Sequence, residues 1–511
     1  MDKKRLAINM VAQLLAFAVN MGISFFLAPV IEAQIANTYG FIDLANKFVL
    51  YAQVVVSALN TMASRFVTIH IHRDEKQEAN EYFSSVFFGN VIMAGIFLIP
   101  ALVIVIFMGS MPFLNVPENL LRDVQLLWAF VFGNFFLSII TSVYGVSTYA
   151  ANRLDLTSIR TMYADILRII FLLVTFTVWK PTLWFVGAAS LLSTSYIAFW
   201  NRRFTYQFLP GIRVRRKYFK WKKVWELISL GAWNSLTRLG QVLLDAVDIL
   251  LAGALITDGG ASMTLLSLAK MVPTSISSLM GTVVGVFNPQ ITIAYAEGDK
   301  DTLVAVIKSC NRILIFIMSI PIGFLTAYGL DFYRLWMPGK DPYALQRLSL
   351  LAVGVLYVSM SIQVLYHVFI ITKKVKWNSL VIFGSGVLSS VLSLTLLKTT
   401  NLGVISFPLS SMLTGLLRNL IFTPVYAAHC LEIRWNRFYS DIVLGGLSIG
   451  AVTALGLLSR VIYPVHSWIN LILTGAVVGP VALLANFFII LRREERDMVL
   501  DMVRAKVAFH K

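Results

Sequence analysis

Charge and cysteine are both scarce in this chain. Only 14% of its 511 residues are charged, whereas 58% are hydrophobic. A soluble domain of this length needs more charge to cover its surface, so the composition argues against a soluble globular protein. The two cysteines, Cys310 and Cys430, lie far apart in the sequence and predict no disulfide framework.

The chain also lacks the short motifs of nucleotide-driven pumps and metalloenzymes. It contains no GxxxxGK[ST] phosphate loop, no HExxH and no Cys/His group with metal-ligand spacing. The longest loop predicted on the outer side of the membrane, residues 331–345, is too short to form a catalytic domain. These absences predict a protein that is not an enzyme, hydrolyses no nucleotide and needs no cofactor or metal.

Long apolar runs dominate what is present. Runs of about 20 residues, the length that crosses a bilayer, recur from one end of the chain to the other. They predict an all-α integral membrane protein with fourteen spans. The spans are 7–31, 41–66, 82–108, 123–148, 161–179, 183–200, 225–255, 264–290, 304–330, 346–371, 378–397, 402–426, 441–460 and 467–491.

Basic residues are distributed unevenly between the two sides of these spans. Most of the 43 Lys and Arg residues fall in segments on one side, which the positive-inside rule assigns to the cytoplasm. Both termini are therefore predicted to be cytoplasmic. The same asymmetry accounts for the net charge of +17 without nucleic-acid binding. The strongest basic run, residues 201–223, either lies on anionic headgroups or serves as a linker and topology anchor.

An internal repeat relates the two halves of the chain. A shift of 224 residues aligns spans 2 and 3 with spans 8 and 9, and places DEK at 74–76 over GDK at 298–300. Two six-helix bundles related by an axis along the membrane normal are a known transporter arrangement. The predicted domains are an N-terminal bundle, a basic linker, a C-terminal bundle, two additional membrane spans and a cytoplasmic tail, at 1–200, 201–224, 225–426, 427–491 and 492–511.

Span 7 carries a series of polar residues. Charges at mid-bilayer cost ~2.5–3.5 kcal/mol on insertion scales, so they usually face a wet cavity or a partner. Asn234, Arg238, Gln241, Asp245 and Asp248 are three or four residues apart and predict one polar stripe on a helix. We expect this stripe to face the protein interior. Asp245 and Asp248 are candidates to bind a coupling cation, to counter Arg238, or both.

Spans 2 and 8 contribute the other predicted cavity cations. Lys47 lies four residues after Asp43, a spacing that allows an ion pair. Lys270 lies at nearly the same depth of the pseudo-equivalent span 8. Together with Arg238 of span 7, Lys47 and Lys270 are predicted to line a substrate cavity.

Three further arginines complete the set of candidate site residues. Arg168 of span 5 either reaches the cavity or pairs with Asp165 three residues earlier. Arg65 of span 2 and Arg418 of span 12 either reach the cavity or extend to the cytoplasmic interface.

Several short motifs occur in a fixed order along the chain. They are Pro29, TYG at 38–40, the segment 65–88, FNPQITIAYAEGDKD at 287–301 and LWMPG at 335–339. In this order and spacing the sequence resembles the polysaccharide flippases of the multidrug/oligosaccharidyl-lipid/polysaccharide (MOP) exporter superfamily, especially Wzx-type O-antigen and capsule flippases.

The resemblance implies a function and a location. It implies alternating access, in which two bundles move an undecaprenyl-pyrophosphate-linked oligosaccharide across a bacterial cytoplasmic membrane for cell-surface polysaccharide biosynthesis. In the similar MurJ-type lipid II flippases, basic residues on the second and eighth helices meet the pyrophosphate, and Lys47 and Lys270 occupy comparable positions. A sodium site in those flippases uses carboxylates on helices 7 and 11. Asp245 and Asp248 match the former and could bind H⁺ or Na⁺, whereas span 11 contains no acid.

Other functions remain open at this stage. A multidrug exporter of the same superfamily would prefer cations, and its cavity would be dominated by the acids of span 7. A membrane glycosyltransferase, polymerase or ligase needs a catalytic segment that the short loops do not supply. A non-transporting scaffold and a lipid scramblase are also compatible with the sequence.

Overall fold

The computed structural model describes residues 3–35, 37–111, 114, 116–151, 153–179, 181–256, 258–493, 495 and 496. A few side chains within these ranges, that of Arg65 among them, lie outside the described part. Over these ranges the chain forms helices joined by short turns, without a strand. The predicted all-α membrane protein is confirmed.

Each of the fourteen predicted spans coincides with a helix or with consecutive helices. We number the principal helices in chain order. They are α1 Lys3–Gln34, α2 Tyr39–His72, α3 Lys76–Ile106, α4 Leu121–Thr141, α5 Leu154–Val178, α6 Trp184–Phe208, α7 Trp221–Asp245, α8 Gly259–Ala296, α9 Lys300–Trp336, α10 Pro342–Gly354, α11 Val375–Thr399, α12 Ser406–Leu417, α13 Tyr439–Ile462 and α14 Trp468–Ile489.

Four of these helices continue, after an irregular residue or turn, into shorter helices. The continuations are Val146–Ala150 after α4, Val247–Leu255 after α7, Leu356–Ser359 and Leu365–Ile371 after α10, and Thr423–Leu431 after α12. By length and mean hydropathy, eight described segments can span a membrane. The helices α2, α7 and α8, which carry predicted cavity residues, are not among those eight.

The chain divides into two compact units, Met1–Ser267 and Leu268–Lys511, with the boundary inside α8. In the first unit, α2 packs against α3, α4 and α7, while α5 packs against α1 and α6. In the second unit, α9 packs against α10, α13 and α14, and α11 packs against α12. The predicted site residues of α2, α5 and α7 therefore belong to one unit.

The basic run 201–223 is fixed to α3. Its first part lies in α6, which continues to Phe208. Beyond that helix, the Asn80 side chain donates to the Gly211 carbonyl at 3.1 Å and accepts from the Arg213 N–H at 2.8 Å. The Lys220 ammonium lies 2.6 Å from the buried Glu81 carboxylate. These contacts hold the segment, and the start of α7 after it, within the first unit.

The first turns of α2 and α8 cross at a glycine. The Gly40 N–H donates to the Thr264 hydroxyl at 3.0 Å. A Cβ atom at Gly40 would lie 2.7 Å from both the Met263 Cβ and the Thr264 nitrogen. The two positions, 40 and 264, are related by the same shift that aligns the sequence repeat. Only glycine permits this approach without displacing backbone.

Changing Gly40 to alanine is therefore expected to destabilise the protein by ~1–3 kcal/mol, the usual cost of overpacking. Thermal unfolding of the purified protein in detergent measures this effect. Gly95→Ala in α3 is the matched control, because a Cβ there meets nothing within 4 Å and alanine favours a helix over glycine. Equal melting temperatures for the two variants would contradict the crossing.

Candidate functional site

One face of α2 carries three polar side chains in successive turns: Asp43, Lys47 and Tyr51. The Lys47 Nζ lies 3.7 Å from the Asp43 Oδ1, and the two side chains are 17% and 23% exposed. This distance is longer than the ~2.7–2.9 Å of a charge-assisted hydrogen bond. The ammonium is therefore attracted to Asp43 and keeps donors for another acceptor.

Arg168 of α5 approaches the start of the same face. Both Arg168 and Asp43 act electrostatically on Tyr39, the first residue of α2. The Arg168 Nε is buried and has no hydrogen-bond partner among the described residues. Asp165 and Arg168 attract each other electrostatically, but Asp165 does not bond the Nε; its two carboxylate oxygens accept from the Asn20 amide of α1 at 3.3 and 3.2 Å.

The helix α7 packs on α2 along an apolar face. Val242 and Ala246 are buried against Val54, and the Ser235 hydroxyl donates to the Val54 carbonyl at 2.8 Å. The stripe residues Asn234, Gln241 and Asp245 each directly precede one of these contact residues in the sequence. The stripe therefore lies on the adjoining face of α7. Its exposed members are Asn234, Arg238, Gln241 and Asp245.

The packing of α7 on α2 also gives the position of Arg238 along the helix axis. Its neighbours on α7 contact α2 near Leu50, Tyr51 and Val54. Arg238 thus lies about two helical turns, ~10 Å along the axis, from the level of Lys47. In the part of the chain that the structure describes, Arg238 forms no ion pair.

The predicted stripe does not continue to its last residue. The helix α7 ends at Asp245, and a new helix begins at Val247. The interruption changes the helical register, so that Asp248 is buried, with 1% exposure, while Asp245 is exposed. Asp248 and Asp43 both act electrostatically on Tyr51 of α2. Asp248 therefore belongs to the α2 cluster and Asp245 to the exposed face.

Arg418 of the second unit lies in a separate polar network. It begins a π-helical turn, Arg418–Phe422, between the two parts of the twelfth span. Its Nε donates to the Asn419 Oδ1 at 3.2 Å. The Tyr366 hydroxyl donates to the same oxygen at 3.1 Å, and the Asn419 amide donates to the Ser359 hydroxyl at 2.7 Å.

Lys270 is half-buried on α8, also in the second unit. The side chain of Arg65 lies outside the described part, and no position is assigned to it.

In the first unit, one cluster around Tyr39 and Tyr51 combines four predicted site residues. They are Asp43, Lys47, Arg168 and Asp248.

Two tyrosines and one asparagine of this cluster were not predicted from the sequence. Tyr51 follows Asp43 and Lys47 at the same four-residue spacing, so the α2 pattern contained the signal. Tyr39 begins the helix that carries them. Asn20 carries no such signal, because only the packing of α1 against α5 brings it to Asp165.

The acids and the cations of the first unit differ in how they are satisfied. Asp43 is paired with Lys47, and Asp165 accepts two bonds from Asn20. Asp245 and Asp248 also have interaction partners. Arg168 and Arg238, by contrast, form no ion pair with any described carboxylate. Within the described ranges no group of three or more His, Cys, Asp and Glu side chains is arranged to hold a metal.

Solved membrane transporters share this architecture. The lipid II flippase MurJ, in an inward-closed conformation, matches with a TM-score of 0.65 at 12% identity, covering 96% of this chain and 100% of that one. An inward-facing multidrug resistance MATE family transporter of the MOP superfamily gives a TM-score of 0.60 at 14% identity, covering 88% and 98%. At such identities the likeness shows the fold, which is that of the MOP superfamily.

A full-length sequence relative is also known. The uncharacterized membrane protein EpsK of Bacillus subtilis (strain 168) is 27% identical over 505 residues, which cover 98% of this chain and 98% of the relative. No family model matches the chain. The chain is thus a multi-pass membrane protein with a MOP-type fold.

Proposed function

We propose that this protein is a flippase that moves a polyprenyl-pyrophosphate-linked oligosaccharide across the bacterial cytoplasmic membrane for cell-surface polysaccharide synthesis. The observation that carries the proposal is a pair of guanidinium groups in the first unit that form no ion pair within the described residues. Arg168 has a buried Nε without a partner among the described residues, and Arg238 stands on an exposed face without an ion pair. Charges that are costly in a bilayer and lack internal partners indicate a ligand of opposite sign.

The pyrophosphate suits these groups chemically. A guanidinium presents planar, bidentate donors that match phosphate oxygens, and an ammonium acts as a compact point charge. Lys47, Arg168 and Arg238 together supply both kinds of donor in the first unit. In the proposed mechanism they bind the pyrophosphate while the sugar occupies water and the prenyl chain stays in lipid. Lys270 and Arg418 remain candidate cavity residues of the second unit.

The competing function is an exporter of cationic drugs, which the MATE-like fold also permits. Such a protein needs carboxylates that are available to a cationic cargo. Here each acid of the first-unit cluster already has a partner, whereas Arg168 and Arg238 form no ion pair within the described residues. This difference favours an anionic cargo.

Asp245 and Asp248 have a separate part in the proposal. Asp248 is buried beside Tyr51 and Asp43, where binding of H⁺ or Na⁺ would change the charge balance around Lys47. A cation that binds one conformation more tightly shifts the population toward it. We assign these two acids the coupling role.

Removing the two predicted cavity lysines, Lys47 and Lys270, is expected to abolish translocation. Each hydrogen bond to a charged group contributes ~1.5–3 kcal/mol, so Lys47→Ala/Lys270→Ala should lower the rate about a hundredfold or more. The measurement uses proteoliposomes that contain a fluorescent polyprenyl-pyrophosphate disaccharide, with a membrane-impermeant quencher added outside. Lys217→Ala/Lys222→Ala removes two exposed lysines of the basic run and serves as the matched control.

Two outcomes of this assay would overturn the proposal. One is a double variant as active as wild type. The other is inhibition of wild type by tetraphenylphosphonium, a lipophilic cation, together with no transport of the pyrophosphate lipid. Imposed sodium or proton gradients in the same vesicles test the coupling role, because Asp248→Asn should remove any gradient dependence that wild type shows.

A further inference from the structure

A second concentration of positive charge lies away from the proposed transport site. The start of α9, the start of α13 and the end of α14 meet around a cavity of about 420 Å³. Lys308, Arg312, Arg492 and Arg496 line this cavity, and Asp441 is the acid among its lining residues. The helix ends that form it are those predicted to lie at the cytoplasmic surface. The volume falls within the ~300–1,000 Å³ range of small-molecule sites.

Two of the four cations are used to hold the walls together. Arg312 pairs with Glu495 at 2.8 Å, and both side chains are nearly buried. The Arg496 guanidinium donates to the carbonyls of Leu491 and Phe488 at 2.9 and 2.8 Å, where it caps the end of α14. These bonds join the end of α14 to α9.

The other two cations are available to a ligand. The Lys308 ammonium donates to the neutral Ser440 hydroxyl at 3.2 Å, and the Arg492 side chain is exposed. Neither forms an ion pair within the described ranges. The acid Asp441 accepts from the buried Asn311 amide at 3.0 Å. Asp441 attracts the Lys308 ammonium, while nearby Arg437, Arg312 and Arg492 repel it. One carboxylate thus faces several cations, and an anion in the cavity would add the missing negative charge.

Apolar surface adjoins the charged cavity. Leu444 and Phe488 are apolar residues of the cavity lining. The neighbouring outward side chains Val443, Leu447 and Leu484 on α13 and α14 are exposed. A ligand with a phosphate in the cavity and acyl chains along these residues would satisfy both surfaces at once.

We propose that this cavity binds the phosphate headgroup of an anionic membrane phospholipid. Basic pockets between membrane helices at the cytoplasmic side have the charge and position to hold such headgroups. Lys308 and Arg492 bind the phosphate, and the acyl chains lie along α13 and α14. The site is independent of the transport function proposed above, since none of its residues belongs to that pathway.

The test measures binding of fluorescent phosphatidylglycerol to the purified full chain in detergent. Lys308→Gln/Arg492→Gln is expected to weaken binding about tenfold or more, whereas Lys308→Arg should retain it because the charge is kept. Arg493→Gln is the matched control: Arg493 is exposed and adjacent to Arg492, but it does not line the cavity. Size-exclusion chromatography verifies that each variant is folded.

Competition experiments identify the source of the phosphate. Unlabelled phosphatidylglycerol should displace the probe, while zwitterionic phosphatidylcholine and water-soluble glycerol phosphate should not. Displacement by glycerol phosphate as effective as that by the lipid would overturn the lipid assignment. An equal loss of binding in Arg493→Gln would overturn the cavity itself, because it would indicate general attraction to a basic surface.

Discussion

Replacing Arg168 with glutamine is expected to reduce translocation of the pyrophosphate lipid about a hundredfold or more, with little change in stability. The buried Nε of Arg168 has no partner among the described residues, so its removal breaks no hydrogen bond from that nitrogen within this part of the chain. A phosphate that accepts two charge-assisted bonds from the guanidinium loses ~1.5–3 kcal/mol for each. Initial rates in the proteoliposome assay and melting temperatures in detergent measure the two quantities.

Arg160→Gln is the control for this result, since it removes the same charge from the same helix. Arg160 is held inside the protein: its guanidinium lies 3.7 Å from the centroid of the Trp200 ring and donates to the Tyr196 hydroxyl at 3.4 Å. We expect Arg160→Gln to lose ~0.5–1 kcal/mol of stability and to retain transport. A transport loss equal to that of Arg168→Gln, or full activity of Arg168→Gln, would remove Arg168 from the site.

The contrast between these two arginines extends to the acids. Asp165 lies three residues before Arg168 and yet bonds to Asn20 of another helix. Arg168 and Asp165 attract each other electrostatically, but they form no ion pair within the described residues, so the guanidinium keeps donors for a ligand. The arrangement of partners, more than the number of charges, favours an anionic cargo.

Much of the fold could be predicted from the sequence because a bilayer demands long apolar helices. Every predicted span has a helical counterpart, and the ends of α11 and α13 fall within three residues of the predicted limits. The three- and four-residue spacing on α7 correctly groups the exposed Asn234, Arg238, Gln241 and Asp245 on one face. These features depend on local periodicity alone.

Features that arise from tertiary contacts were not predictable. The interruption at Ala246, which separates Asp248 from the rest of the stripe, has no glycine or proline within five residues on either side. The electrostatic effect of Arg168 on Tyr39 depends on how α5 and α2 are placed by the helices packed against them. Similarly, the sequence of span 12 gives no indication of the π-helical turn that begins at Arg418.

That turn is fixed by a buried asparagine, and Asn419→Leu is expected to be strongly destabilising. Asn419 is fully buried and accepts from Arg418 and Tyr366 while donating to Ser359.

Leucine would leave the Arg418 Nε and the Tyr366 hydroxyl without this acceptor, at a cost of about 2–4 kcal/mol for the two groups together. Since π-helical turns occur often at functional sites, transport should fall with stability. The matched control is Asn378→Leu, because Asn378 is also buried but its Oδ1 already lacks a partner among the described residues. If the two leucine variants unfold at the same temperature, the Asn419 network does not hold the turn, and the position of Arg418 must have another cause.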